Sequence, residues 1–443
     1  MRASTYGGYQ DIPHGFRSGR EHSDWEGCMK RLLVLGGGTA GTMVVNKLRP
    51  RLPRDEWQIT VVDQRDVHYY QPGYLFIPFG AYRPDEVVKP TKRFIPEGVD
   101  LLHGEIDRVV ADENKVVLAD GTELPYDQLV IATGTTPRPA ETPGMDEGEW
   151  GKSIHEFYTF EGATALGEKL KTWEGGRLVV HIVDMPIKCP VAPLEFTFLA
   201  DSFFREHGIR DQVEIVYVTP LPGAFTKPIA SRYLGGMLDE RKVELESDFM
   251  VERIDPEAKT VVSYDEREVP FDLLVTIPLN MGADFVARSG LGDDLNYVKV
   301  DKGTFLSTQH DNIFAIGDAS NIPASKAGSV AHFAVDIFAH NFLRHIDGLT
   351  MEEKFDGHAN CFIESGGGKG MLIDFNYDTE PMPGKYPLPG IGPFSLLKET
   401  ELNHWGKLMF RWIYWNVLLP GKDLPLPALM SMAGKEIPED SAS

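Results

Sequence analysis

"KRLLVLGGGTAGTMVVNKL", residues 30–48, decides the fold of this chain. Its first six residues, mostly leucine and valine, read as a buried strand, the glycines as a tight turn, and the apolar spacing beyond them as a helix. The glycines are spaced Gly36-x-Gly38-x-x-Gly41, with Thr39 and Ala40 between the last two. The next apolar run, "ITVVD" (59–63), ends on Asp63, 22 residues after the last glycine, and Gln64 follows it. At a strand–turn–helix junction, glycines let backbone approach a pyrophosphate, the helix N-terminus offers N–H groups to the anion, and the acid bonds a ribose hydroxyl. Gly36, Gly38, Thr39, Ala40, Gly41, Asp63 and Gln64 are therefore expected to hold a dinucleotide on a βαβ unit.

The 443 residues suffice for two or three domains, and the 42% hydrophobic and 25% charged composition is that of a globular protein. A net charge of −22 argues against nucleic acid, whose phosphates need a basic footprint. The sequence contains no apolar run of about 18 residues, the length a membrane-crossing helix needs. Residues 1–28 are polar and glycine-rich without the apolar core of a secretory signal, so they are expected to form a disordered tail ahead of Met29. Three cysteines (Cys28, Cys189 and Cys361) are too few for a disulfide scaffold, and no CxxC or His-rich spacing suggests a metal.

Two more segments follow the glycine loop in order. "YDQLVIATGTTPRP" (126–139) is a strand ending in Ala132-Thr133-Gly134, and "HDNIFAIGDASNIP" (310–323) is a strand ending in Gly317-Asp318. The three together resemble the flavoproteins with two dinucleotide-binding domains. That resemblance implies FAD, with the first segment returning beside the cofactor and Asp318 on its ribityl chain.

A second βαβ unit lies between those segments. "GGRLVVHIV" (175–183) supplies its strand, "PLEFTFLADSFFREHG" (193–208) its helix and "VEIVYVT" (213–219) the next strand. The connecting loop, "DMPIKCPVAPLE" (184–195), has no glycine, and Thr219 stands where an acid would follow the second strand. A nicotinamide cofactor should bind poorly there. Cys189 opens the helix between Lys188 and Pro190, where a helix N-terminus and a cation would lower its thiol pKa. A redox role and a small buried core residue are both open to it.

Cys361 sits in "GHANCFIESGGGKGMLIDFNY" (357–377), a strand–glycine turn–strand unit in a mixed β region. Beyond it, "HWGKLMFRWIYWNVLLPGKDLPLPALM" (404–430) crowds Trp405, Met409, Trp412 and Trp415 onto a short helix. Lys407, Arg411, Lys422 and Lys435 outnumber Glu401 and Asp423 over residues 401–435. An apolar, Trp-rich face flanked by cations suits a helix lying on a bilayer, and the aromatic belt suits a quinone. The protein's own core, or a second copy in a homo-oligomer, would also cover such a face.

At this point the chain, over roughly residues 29–430, resembles the sulfide:quinone oxidoreductases. The resemblance rests on GGGTAG (36–41), "YYQPGYLFIPFG" (69–80), ATG (132–134), "PIKCPVAPLE" (186–195), "AIGDAS" (315–320), Lys326 in "ASKAG", Cys361 and the aromatic C-terminal helix. It implies a Cys189–Cys361 disulfide beside the flavin, opened by sulfide to leave a persulfide on Cys361. Cys189 would pass electrons into FAD, Lys326 would stabilise the reduced cofactor, and a membrane quinone would reoxidise it near Phe362, Trp405, Met409, Trp412 and Trp415.

The expected architecture is an α/β chain with two tandem Rossmann-like domains, FAD in the first, a C-terminal mixed β region and amphipathic membrane-binding helices. Residues 29–150 and 265–325 would form the FAD domain, 151–264 the second domain, 326–400 the β region and 401–435 the tail. The location expected is peripheral, on the cytoplasmic face of the cell membrane. Many members of the family carry a third cysteine near the start of the second domain. "GKSIHEFYTFEGA" (151–163) has none, only His155 and Glu156. That departure puts the sulfur acceptor and the polysulfide length in doubt. A type II NADH:quinone oxidoreductase, a flavocytochrome-type sulfide dehydrogenase and a flavin-binding scaffold without turnover are the alternative readings.

Overall fold

The computed structural model describes residues 29–390 and 392–437; the expected tail at 1–28, with Cys28, lies outside them. Seven α-helices run along these residues: α1 (Thr39–Leu48), α2 (Phe160–Leu170), α3 (Ala192–Glu206), α4 (Pro228–Glu240), α5 (Asp284–Arg288), α6 (Gly328–Ile346) and α7 (Glu401–Ile413). The opening apolar run forms strand Lys30–Leu35, central in a parallel sheet between Gln128–Ile131 and Trp57–Asp63. Ile313–Ala315 and Asp100–His103 are the outer strands. Central strands of a parallel sheet are covered on both faces, which is why "LLVL" is apolar without alternation. Helix α1 packs against α6. The carboxyl ends of Lys30–Leu35, Gln128–Ile131 and Ile313–Ala315 thus bring the glycine loop, the ATG segment and the GD segment to one crevice.

A second parallel sheet runs in the order Ile154–His155, Leu273–Ile277, Gly176–Ile182, Val213–Val218, Val243–Glu246. Strand Leu273–Ile277 pairs with Gly176–Ile182 from Leu178↔Leu273 to Ile182↔Ile277. The sequence reading returned the chain to the first domain at residue 265; this pairing corrects it, because buried residues through Ile277 belong to the second sheet. The return begins with Leu279–Met281, which pairs with Thr136–Arg138.

The region read as mixed β from residue 326 begins instead with the 19-residue helix α6, whose apolar residues recur at helical spacing. A four-stranded sheet follows, ordered Ala359–Gly366, Lys369–Phe375, Phe394–Leu396, Gly384–Tyr386. Strand Lys369–Phe375 is buried on nearly its whole length, because α7 packs on it. Helix α3 covers strand Ala359–Gly366, so the second domain, this sheet and α7 form one stack.

The segment after α7 is pinned by buried charge. Lys435 reaches the Asp374 carboxylate, both side chains almost wholly excluded from water. Asp374 also accepts from His358 Nε2 at 2.9 Å and Asn360 Nδ2 at 3.0 Å. Lys435→Met would leave that carboxylate without its cation, at a cost of about 3–5 kcal/mol. A lowered urea midpoint is the expected result, partly recovered in Lys435→Met/Asp374→Asn.

Candidate active site: a dinucleotide cleft lined by a thiol

The glycine loop is built by steric exclusion. Gly36 has φ +99°, and a Cβ there would lie 2.5 Å from the Ala132 carbonyl oxygen. One on Gly41 would lie 1.9 Å from the Gly36 oxygen, whereas Gly38 faces open space. Helix α1 therefore begins against the loop with its first N–H groups turned to a cleft of about 330 Å³. Asp63 Oδ2 accepts the Gly37 N–H at 2.6 Å and its Oδ1 the Arg65 N–H at 2.8 Å.

Gly36, Gly38, Thr39, Ala40, Asp63, Gln64, Ala132, Thr133, Gly134, Gly317, Asp318 and Lys326 all line this cleft; Gly41 lies behind the loop. One hydroxyl there awaits a partner. Thr133 Oγ1 is buried and finds no hydrogen-bond partner among the described residues. The Asp318 carboxyl is pushed above its usual range by burial, against the pull of Lys326 and Lys188. A phosphate-accepting helix start, a carboxylate at the second strand end and a carboxylate on the far wall fit the pyrophosphate, ribose and ribityl groups of FAD. The cofactor is FAD.

Lys326 sits on the wall of the cleft. Its Nζ donates to the Asp318 and Ser320 carbonyls, each at 3.0 Å, and lies 3.7 Å from the centre of the Tyr297 ring. Burial brings its ammonium down to about pKa 8, with Asp318 opposing the fall.

The Lys326 backbone carbonyl accepts the N–H of Cys189 at 2.6 Å. Cys189 is in the left-handed region, φ +45°, a conformation that costs a side-chain-bearing residue about 1 kcal/mol or more. Bonds on both sides hold it there, its carbonyl accepting from Ala192 N–H at 2.8 Å and Tyr158 Oη at 3.2 Å. Helix α3 starts at Ala192, so Cys189 precedes the helix rather than opening it.

Cys361 is also half-buried, on strand Ala359–Gly366, and both cysteines are free thiols. The expected low thiol pKa is corrected in direction. Burial raises the Cys189 thiol well above its usual value, reinforced by Glu195, and Lys407 only partly offsets it. Burial likewise pushes Cys361 up to about 11, again opposed by Lys407. The cation expected to act on Cys189, Lys188, is turned aside onto Gln71 Oε1 at 3.1 Å and the Tyr158 carbonyl at 3.0 Å.

Between the thiols and α7 runs a buried ion pair that sequence reading missed. Glu195 Oε1 accepts from Lys407 Nζ and from the Glu364 N–H, each at 2.7 Å; Lys407 also donates to the Phe362 carbonyl at 2.9 Å. Lys407 was read as one of several flanking cations, and nothing in its spacing marks it as buried. Tyr158, His68 and Tyr414 also line the cleft without having been singled out. Glu156, left without a role, accepts the Tyr158 and Thr159 N–H groups just ahead of α2, and Thr159 in turn caps the helix by accepting the Gly162 N–H. His155 is buried, its Nε2 3.2 Å from the Lys152 carbonyl.

Of the residues expected at a quinone or membrane, Trp405, Met409 and Trp412 are 63%, 51% and 62% exposed. Phe362 is half-buried, packed edge-on to Phe394 at 5.1 Å. Trp415 is a correction. It is buried, stacked on Phe94 at 5.1 Å with Lys89 Nζ 4.4 Å from its ring centre. The chain leaves α-helical register in a π turn at Tyr414–Leu418, in which Tyr414, Trp415 and Leu418 are buried.

Two dinucleotide-type sheets, an FAD cleft and Cys189 on the wall of that cleft define a flavin-dependent oxidoreductase. The pyridine nucleotide-disulphide oxidoreductase family model matches residues 30–180 and 194–335, and the chain belongs to that family. It is 27% identical over 398 residues to the mitochondrial sulfide:quinone oxidoreductase of Dictyostelium discoideum, covering 88% of this chain and 86% of that one. It is also 27% identical over 440 residues to the mitochondrial sulfide:quinone oxidoreductase of Schizosaccharomyces pombe, covering 92% and 94%. The solved sulfide:quinone oxidoreductase of Aquifex aeolicus superposes with a TM-score of 0.74 at 20% identity, over 89% of this chain and 92% of that one.

Thiol alkylation tests the electrostatics. Because iodoacetamide reacts with thiolate, its rate with the reduced protein should keep rising with pH through 9 without a plateau. Glu195→Gln, which removes a charge that raises both thiols, should move the profile to lower pH. An equally fast wild-type reaction at pH 7 and pH 9 would contradict the assignment. Gly41→Ala, placing a methyl against the Gly36 carbonyl, should abolish flavin absorbance in the purified protein.

Proposed function

We propose that this protein oxidises sulfide and delivers the two electrons to a membrane quinone, through Cys189 and Cys361. The observation that carries the reading is the replacement of a nucleotide loop by a thiol. The strand and helix that would flank a nicotinamide-binding loop are kept, and the loop between them, without glycine, presents Cys189 to the cleft. A nicotinamide-driven reading lacks its phosphate site.

In the oxidised enzyme the two cysteines form a disulfide. Hydrosulfide attacks the Cys361 sulfur; the Cys189–Cys361 bond breaks, Cys361 becomes a persulfide, and Cys189 leaves as a thiolate. A thiolate of raised pKa is a strong nucleophile and electron donor, and Lys407, whose cationic form is favoured by Glu195 despite burial, supplies the nearby positive charge. Transfer of the outer sulfur to a nucleophilic acceptor leaves the dithiol, and loss of two electrons and two protons from the dithiol restores the bridge. FAD, when bound, supplies a two-electron acceptor that quinone reoxidises. The Lys326 ammonium gives the cleft wall a fixed cation suited to a reduced, anionic cofactor.

Leu402, Trp405, Met409 and Trp412 recur at helical spacing, so one face of α7 is an exposed apolar stripe. Among the described residues no helix is long and apolar enough to cross a membrane. The stripe lies flat in the bilayer interface, with Phe362 at the approach of the quinone ring.

Sulfide should bleach the bound flavin, NADH should not, and added quinone should restore the colour. Cys189→Ser and Cys361→Ser should each abolish bleaching with FAD retained; full bleaching in either variant would sink the dithiol cycle. Trp405→Glu/Trp412→Glu should lose most co-sedimentation with liposomes while sulfide still bleaches the flavin. Unchanged sedimentation would remove the membrane role from α7.

A further inference from the structure

A closed ring of hydrogen bonds joins the end of α7 to the glycine loop. Tyr414 Oη lies 2.7 Å from Thr39 Oγ1 and 2.7 Å from His68 Nε2. His68 Nδ1 lies 3.1 Å from the Gly37 carbonyl oxygen, which also accepts from Thr42 Oγ1 at 2.9 Å. The carbonyl can only accept, so Nδ1 carries the proton. Burial lowers the imidazole to about pKa 4, so the ring is neutral and Nε2 is an acceptor. Tyr414 therefore donates to His68, and its oxygen accepts from the Thr39 hydroxyl.

This ring fixes both sides of the turn that precedes α1. The Gly37 carbonyl is drawn toward His68 and the Thr39 side chain toward Tyr414, which leaves the first N–H groups of α1 to the cleft. Tyr414 stands where α7 passes into the π turn, on the same inward face as Lys407, and its ring packs on Tyr70 at 4.9 Å. We infer that Tyr414 and His68 are positioning residues of the FAD pyrophosphate loop, and that they couple cofactor binding to the docking of α7. The inference rests on FAD in this cleft and extends it to a segment some 375 residues further along the chain. Coupling of this kind is reciprocal: a docked α7 tightens FAD, and FAD holds α7 in place.

Flavin absorbance of the purified wild-type protein, measured first, tests the cofactor reading by itself. FAD is then stripped and titrated back, followed by flavin fluorescence. Tyr414→Phe keeps the ring and removes the hydroxyl, and should raise the FAD dissociation constant about five- to tenfold. Trp415→Phe, which disturbs the same aromatic cluster outside the hydrogen-bonded ring, should change it less than about twofold. In hydrogen–deuterium exchange, saturating FAD should slow the α7 amides of the wild type, and that dependence should vanish in Tyr414→Phe. An unaltered FAD affinity in Tyr414→Phe, an equal loss in Trp415→Phe, or wild-type α7 exchange indifferent to FAD would each overturn the inference.

Discussion

The Glu195–Lys407 ion pair is the contact on which the arrangement of the site depends. Glu195 is wholly buried and Lys407 nearly so, and removing two such charges from water is unfavourable unless their remaining valences are filled. The Glu364 N–H and the Phe362 carbonyl fill two of them. The pair thereby ties α3 of the second domain, the strand that bears Cys361, and the C-terminal helix at one point. It also sets the charge seen by both thiols, since Glu195 raises Cys189 and Cys361 and Lys407 lowers them. A buried pair of this kind adds little to net stability but permits one docking of three elements and penalises others.

The second dinucleotide unit keeps its fold while its loop carries a thiol in place of glycine. Strands Gly176–Ile182 and Val213–Val218 and helix α3 keep the parallel geometry of a nucleotide site. Where glycine would admit a pyrophosphate, Cys189 takes a left-handed conformation held by Lys326, Ala192 and Tyr158. The strain is met by hydrogen bonds at both its N–H and its carbonyl, and the sulfur is left on the cleft wall.

Helix α7 carries two roles on two faces. Its outward stripe of tryptophan, methionine and leucine faces solvent, while Lys407 and, at the start of the π turn, Tyr414 reach Glu195 and the glycine loop. The same short segment therefore carries an exposed apolar stripe and reaches the cofactor cleft.

Much of this was legible in the sequence by itself. The strand–glycine–helix pattern at 30–48, the acid at 63, and the ATG and GD segments determined the parallel sheet and the cofactor, because those residues are dictated by local backbone sterics and by phosphate chemistry. The absence of glycine around Cys189 likewise spoke for itself. What the tertiary structure alone decided was burial. "LLVTI" at 273–277 is an apolar run that either sheet could have taken, and pairing placed it in the second. Lys407 looked like any cation on an amphipathic helix, Trp415 like any member of an exposed belt, and Cys189 like an activated thiol at a helix start. Their environments come from elements hundreds of residues away, and desolvation, which dominates both thiols, is a property of what surrounds a group rather than of its neighbours along the chain.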